Sequence, residues 1–205
     1  MRRSGKSALR VLALTAVALL AHIGVAGSAM SEPASPAVKI NYSVEGQSVV
    51  KKTGSTLPLG PGALAVDLAA ATGDLTGDLT LPPAHSEFKV FGLIPVTATI
   101  DFLPQGQTTG KIVRGVVTSS SQVVLRLRNV KAGGLEYPVG DKCQSKAPMQ
   151  IDLTSEAGFN PLKGGKLSGS YTIPEFTNCH LAELLINFMI PGPDNTISLN
   201  LTRVV

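Results

Sequence analysis

Val38-Lys39-Ile40-Asn41-Tyr42-Ser43-Val44-Glu45 alternates apolar and polar side chains without a break. Successive side chains of a strand point to opposite faces, so this run has the period of a half-buried β-strand. Glu45-Gly46 then offers a turn into 48–52, which predicts a hairpin. Beyond it, 21 Gly and 14 Pro cut the chain into short segments. Strands are expected at 63–70, 75–81, 88–91, 96–103, 111–118, 122–130, 149–154, 166–173 and 196–203. In 122–128, Val123, Leu125 and Leu127 face one way and Gln122, Arg126 and Arg128 the other, with Val124 the exception. In 196–202, Ile197, Leu199 and Leu201 oppose Ser198, Asn200 and Thr202. Short strands at this spacing predict an all-β fold, a mainly antiparallel sandwich or barrel.

One helix interrupts the pattern. The segment 180–190 lacks Gly and Pro, and Pro191-Gly192-Pro193 stops it. Leu181, Leu184, Leu185 and Phe188 recur at helical spacing, with His180, Glu183 and Asn187 opposite. Thr177 or Asn178 is the expected cap. A weak internal similarity relates Leu75-Thr76-Gly77-Asp78-Leu79-Thr80-Leu81-Pro82 to Leu167-Ser168-Gly169-Ser170-Tyr171-Thr172-Ile173-Pro174. Two related halves, near 38–118 and 119–205, are the expectation. Two copies do not make a solenoid or an array.

The N-terminus sets the compartment. Arg2, Arg3, Lys6 and Arg10 precede an apolar run from Val11 to Leu20, and small residues follow at Gly24, Ala26, Gly27 and Ala29. This is the layout of a cleavable secretory signal at 1–29. Cleavage after Ala29 fits best, and Ala26 is nearly as good a site. The run is about half the ~20 residues that a spanning helix needs, so no stable transmembrane anchor is expected after cleavage. A Pro/Ser/Ala linker at 30–37 and a single β-rich domain at 38–205 complete the organisation. The chain has 18 basic and 14 acidic residues, and its basic excess leaves with the signal. A mature chain of net charge zero has no concentrated basic face, which argues against nucleic acid as a partner. Lys51-Lys52 and Arg126/Arg128 read as solvated positions on strands.

Trp is absent and aromatic residues make up 4%, so the core must be Val, Leu, Ile and Ala. Cys143 and Cys179 are the only cysteines. In an oxidising compartment such a pair is a disulfide, here tying a polar loop to the start of the helix.

Three segments carry a family resemblance. They are Gly77-Asp78-Leu79-Thr80-Leu81-Pro82-Pro83, Phe91-Gly92-Leu93-Ile94-Pro95-Val96-Thr97-Ala98-Thr99 and Ile190-Pro191-Gly192-Pro193-Asp194-Asn195-Thr196-Ile197. They resemble small secreted β-rich proteins of actinobacteria, a largely uncharacterised group. The resemblance implies an exported β domain and transfers no catalytic residue.

The chemistry-bearing residues do not assemble into a motif. His85 and Ser86 are adjacent, so on a strand they point apart and cannot pair as base and nucleophile. No Ser lies in a Gly-x-Ser-x-Gly elbow. His180 and Glu183 are three apart on the helix, but no second histidine completes a metal site. The acids Asp67, Asp74, Asp78 and Asp101 lack calcium-loop spacing. No catalytic residue, metal or cofactor is implied. Two segments are strongly apolar: Phe88, Phe91, Leu93 and Ile94 in one stretch, and Leu184, Leu185 and Phe188 on the helix. Core packing is the simple reading, and an apolar surface, groove or cavity for a lipid or a partner the functional one. The expectation is an exported, non-enzymatic module that binds or scaffolds at the cell envelope or outside the cell, with a protein or envelope component as partner. A carrier of an apolar ligand such as a lipid is the alternative, and an enzyme of unfamiliar type a third.

Overall fold

A computed structural model describes residues 37–90 and 92–204. The expected signal at 1–29, the linker up to residue 36 and Phe91 lie outside the described residues. Thirteen strands form: β1 (Ala37–Val50), β2 (Ser55–Ala69), β3 (Asp74–Thr80), β4 (Ala84–Val90), β5 (Ile94–Pro104), β6 (Thr108–Val113), β7 (Val116–Ala132), β8 (Leu135–Glu136), β9 (Gln144–Ser145), β10 (Met149–Ser155), β11 (Gly164–Ile173), β12 (Phe176–Thr177) and β13 (Gly192–Val204). A 3₁₀ turn (His180–Ala182) leads into the one α-helix of the described residues, α1 (Glu183–Met189).

Of the two expected architectures, the chain adopts the barrel. Eight strands close in the order β1-β2-β3-β6-β7-β10-β11-β13, and β13 returns to β1 by an antiparallel ladder from Asn41↔Val204 to Val49↔Thr196. The alternation of β1 explains its role. Ile40, Tyr42 and Val44 are buried in the barrel core, while Lys39, Asn41, Glu45 and Gln47 are exposed. In β13, Ile197, Leu199 and Leu201 are likewise buried, and Asn200 and Thr202 are exposed. An apolar interior inside a polar wall is the reverse of a lipid-facing barrel.

Two turns differ from the sequence expectation. The chain does not reverse at Glu45-Gly46: β1 runs through them with an irregularity against β2 between Val44 and Gly46, and the reversal falls at 51–54. Gly46 answers a close approach of strands, since a Cβ there would sit 2.1 Å from the carbonyl oxygen of Ser198. The strand expected at 111–118 is in fact a hairpin. Arg114 and Gly115 take φ of 52° and 82°, the two positive values of a type I′ turn between β6 and β7.

Strand β7 has two sets of partners within the one sheet. Its first part closes the barrel with β6 and β10, and from Val123 onward it pairs with β5, which carries β4. On its other side β4 packs beside β2 but shares no ladder with it. One half of the barrel wall is therefore zipped by hydrogen bonds all round, and the other meets at a β2–β4 seam held by side chains. Pro58 and Pro61 lie on β2 at this seam, where residues lacking an N–H belong.

Round the barrel, segment 75–81 belongs to the third strand counted from β1, and segment 166–173 to the third counted from β7. Superposition of the two halves is the test of their expected relation.

Candidate functional site

The helix and the disulfide sit together at one end of the barrel. Cys143 and Cys179 are bonded, with Cα atoms 4.4 Å apart, and both are fully buried. The Cys143 loop is fixed from both sides. The Leu127 N–H donates to the Cys143 carbonyl (2.8 Å), and the Leu125 N–H donates to Ser145 Oγ (3.1 Å). Across the bridge, β12 pairs with β9 through Phe176↔Ser145 and Thr177↔Gln144. Asn187 then clamps the helix to β12. Its Oδ1 accepts the Phe176 N–H (2.7 Å), and its Nδ2 donates to the Phe176 carbonyl (2.9 Å). The cap position is Cys179 rather than Thr177 or Asn178, and its N–H donates to the Glu183 carboxylate (3.2 Å). That contact turns Glu183 to the backbone, and His180 lies against Gly140.

These fixings invert the helix. An amphipathic helix ordinarily buries its apolar stripe. Here the buried residues are Ala182 and Ile186. Leu181, Leu184 and Phe188 are 97%, 86% and 64% exposed, and Leu185 is 43% exposed. Periodicity identified the stripe, and of its two readings, core packing or apolar surface, the exposure of these side chains matches the surface. Asn187, on the opposite face, is the residue that docks. Lys52, on the neighbouring β1–β2 turn, holds its Nζ 5.9 Å from the Phe188 ring centroid and 3.1 Å from the Pro191 carbonyl. A cation over a ring face is attracted to it without covering the patch.

The expected single apolar surface divides. Phe88 is half-buried and lines the interior, while Leu93 and Ile94 are exposed at the tip of the β4–β5 hairpin. Leu135, on the adjoining β8, is exposed too, and the Gly133 N–H ties the two tips through the Pro95 carbonyl (2.9 Å). Leu184, Leu185 and Phe188 form the helix patch.

Inside the barrel are two apolar cavities. One of about 80 Å³ lies towards the helix end, bounded by Val50, Phe88, Phe176 and Ile190. One of about 70 Å³ lies towards the other end, bounded by Ile40, Leu68, Ile112 and Phe159. Leu79, Ser121, Leu153 and Leu199 line both, so the two are in tandem along the interior. No charged residue is among their described walls. Among the hydroxyls there, Ser48 pairs with Tyr171 (2.6 Å) and Thr108 with Ser121 (2.8 Å). Burial pushes the Tyr171 phenol above its usual range, against the smaller opposing effect of the Ser48 bond.

Sequence reading missed one ionic cluster. Asp101, almost fully buried, accepts from Arg128 through Nε (2.6 Å) and Nη2 (2.5 Å) and from Arg126 Nε (2.9 Å). The two-pronged hold of Arg128, helped by Arg126 and opposed by burial, lowers the carboxyl below its ordinary range. Arg126 and Arg128 are therefore half-buried clamps, not free solvated positions. A lone acid between Ile100 and Phe102 was the available signal, since a carboxylate in an apolar strand requires a partner. Two strong cations on one acid leave it no proton to trade at neutral pH, so the cluster is a brace between β5 and β7.

His85 is exposed and Ser86 buried, on opposite faces of β4 as expected, and His85 Nδ1 lies 3.3 Å from Thr99 Oγ1. Among the described residues, no group of three or more His, Cys, Asp or Glu could hold a metal ion. No helix among them is long and apolar enough to cross a membrane. No family model matches the chain, nor does any curated protein or solved structure.

Proposed function

We propose that this protein is an exported, non-enzymatic binding module of the cell envelope or the extracellular space, and that the inverted helix is its binding element. The observation that carries this reading is the outward set Leu181, Leu184, Leu185 and Phe188. Their i, i+3, i+4, i+7 spacing is that of the anchors with which a helix seats in a hydrophobic groove of a partner protein. The helix is pinned by Asn187 and the disulfide, so little ordering entropy remains to be lost on docking. The buried disulfide fits an oxidising compartment, in agreement with the signal sequence.

The test is fractionation of the native host expressing the exported protein and its Leu184→Ser/Phe188→Ser variant. Wild type should stay with the envelope, in a protease-sensitive complex, and the variant should pass into the medium. Equal distribution of the two forms would refute the reading. Flotation of wild type with protein-free lipid vesicles would replace a protein groove by a membrane surface.

A further inference from the structure

We infer that the barrel interior is a binding site for the end of an uncharged alkyl chain, entered at the β2–β4 seam. Three observations meet there. First, the two tandem cavities of about 80 and 70 Å³ together approach the ~150 Å³ of an apolar protein cavity that takes up benzene. Second, their walls are mainly hydrocarbon and carry no charge, and among the hydroxyls Ser48 pairs with Tyr171 and Thr108 with Ser121, so a ligand gains chiefly from apolar contact. Third, the helix-end cavity reaches a stretch of wall without a ladder, the β2–β4 seam. Leu57 and Leu59 of β2 and Ser86 and Phe88 of β4 all line it. Parting this seam disrupts side-chain packing but no strand hydrogen bonds.

The ligand class follows from shape and charge. Two small chambers in line, meeting at Leu79, Ser121, Leu153 and Leu199, suit a narrow linear segment better than a ring system. An ionised headgroup would find no partner in the walls and must remain outside. The site is distinct from the helix patch, because Leu184, Leu185 and Phe188 point to solvent and are not among its walls.

Titration of the full exported protein with 1-hexanol and with 1-dodecanol, followed by methyl NMR of Leu, Ile and Val, tests the inference. Saturable shifts are expected at Leu57, Leu59, Leu125 and Leu199. Tighter binding of dodecanol would mark a lipid tail as the natural ligand, and preference for hexanol a small free molecule. Ala98→Leu puts extra side chain into the helix-end cavity and should weaken binding at least tenfold while keeping the native spectrum. Ala98→Val serves the same purpose with less bulk if the larger side chain prevents folding. Leu184→Ser/Phe188→Ser should bind both alcohols as wild type does, whatever it does to envelope retention. Shifts confined to Leu181, Leu184 and Leu185, or an unchanged affinity in both Ala98 variants, would overturn the inference.

Discussion

Removing the disulfide by Cys143→Ala/Cys179→Ala has an effect that can be worked out from the chain. The bridge spans 36 residues. A loop of that length restricts the unfolded chain by about 4 kcal/mol in the loop-entropy treatment. Alanine is the better replacement than serine, because both sulfurs are fully buried and a serine would bury a hydroxyl in their place. For a folded body of this size, each kcal/mol moves the melting temperature by roughly 2–4 °C, which gives a fall of roughly 8–16 °C. The barrel should still form, since its ladders and core lie mostly outside the bridged loop. Scanning calorimetry reads the fall, and hydrogen exchange should show faster opening at 140–146 and 177–190 than in β1 or β13. A fall below about 3 °C would mean that the unfolded chain is not appreciably freed, and the loop argument would fail.

Asp101→Asn should cost about 1.5–3 kcal/mol in urea unfolding at pH 7, because charge-assisted bonds to two arginines are lost. The folded Asp101 is depressed below its unfolded value near ~3.9, so its contribution is complete above that pH and fades as pH falls through the lower folded value. Wild-type stability should therefore drop more steeply than that of Asp101→Asn as pH falls below about 4; parallel acid profiles would contradict the clamp. Tyr171 is raised, so its share is complete below about pH 10 and is lost at higher pH, and Tyr171→Phe should flatten that alkaline limb. Gly169→Ala should lower the urea midpoint by about 1–3 kcal/mol equivalent with an unchanged slope, since its Cβ would lie 2.1 Å from the Asp152 carbonyl oxygen. On the helix, Ile186→Ala should destabilise by about 2–5 kcal/mol and Leu184→Ser by less than about 0.5 kcal/mol. A reversed order would show that the helix faces the other way.

The strands were legible because period-two alternation is a local property. β1, β7 and β13 announce their inward residues without reference to anything distant. The errors came where a local sign had a non-local cause. Gly46 reads as a turn residue but answers the carbonyl of Ser198, far along the chain. Arg114-Gly115 turns the chain without the Asn-Gly or Asp-Gly pair that usually marks it. The stripe of Leu181, Leu184, Leu185 and Phe188 was legible, but the choice between core and surface stayed open, because it is set by Asn187 and by the bond between Cys179 and Cys143. The Asp101 cluster was hidden because its partners lie on another strand. Adjacency of Arg126 to Asp101 exists only once β5 and β7 are in register.

The ladder between β1 and β13 also governs when the barrel can exist. Residues 41–49 find their partners only at 196–204, so the ring cannot be completed until almost the entire chain is free to fold. Until β13 is available, β1 and β2 stand as an open hairpin with a long unpaired edge exposed. Pairing across such a span is slow, because loop closure must precede the contacts that compensate it. The vulnerable interval in folding is thus the one before β13 pairs, when β1 is open to edge-to-edge association.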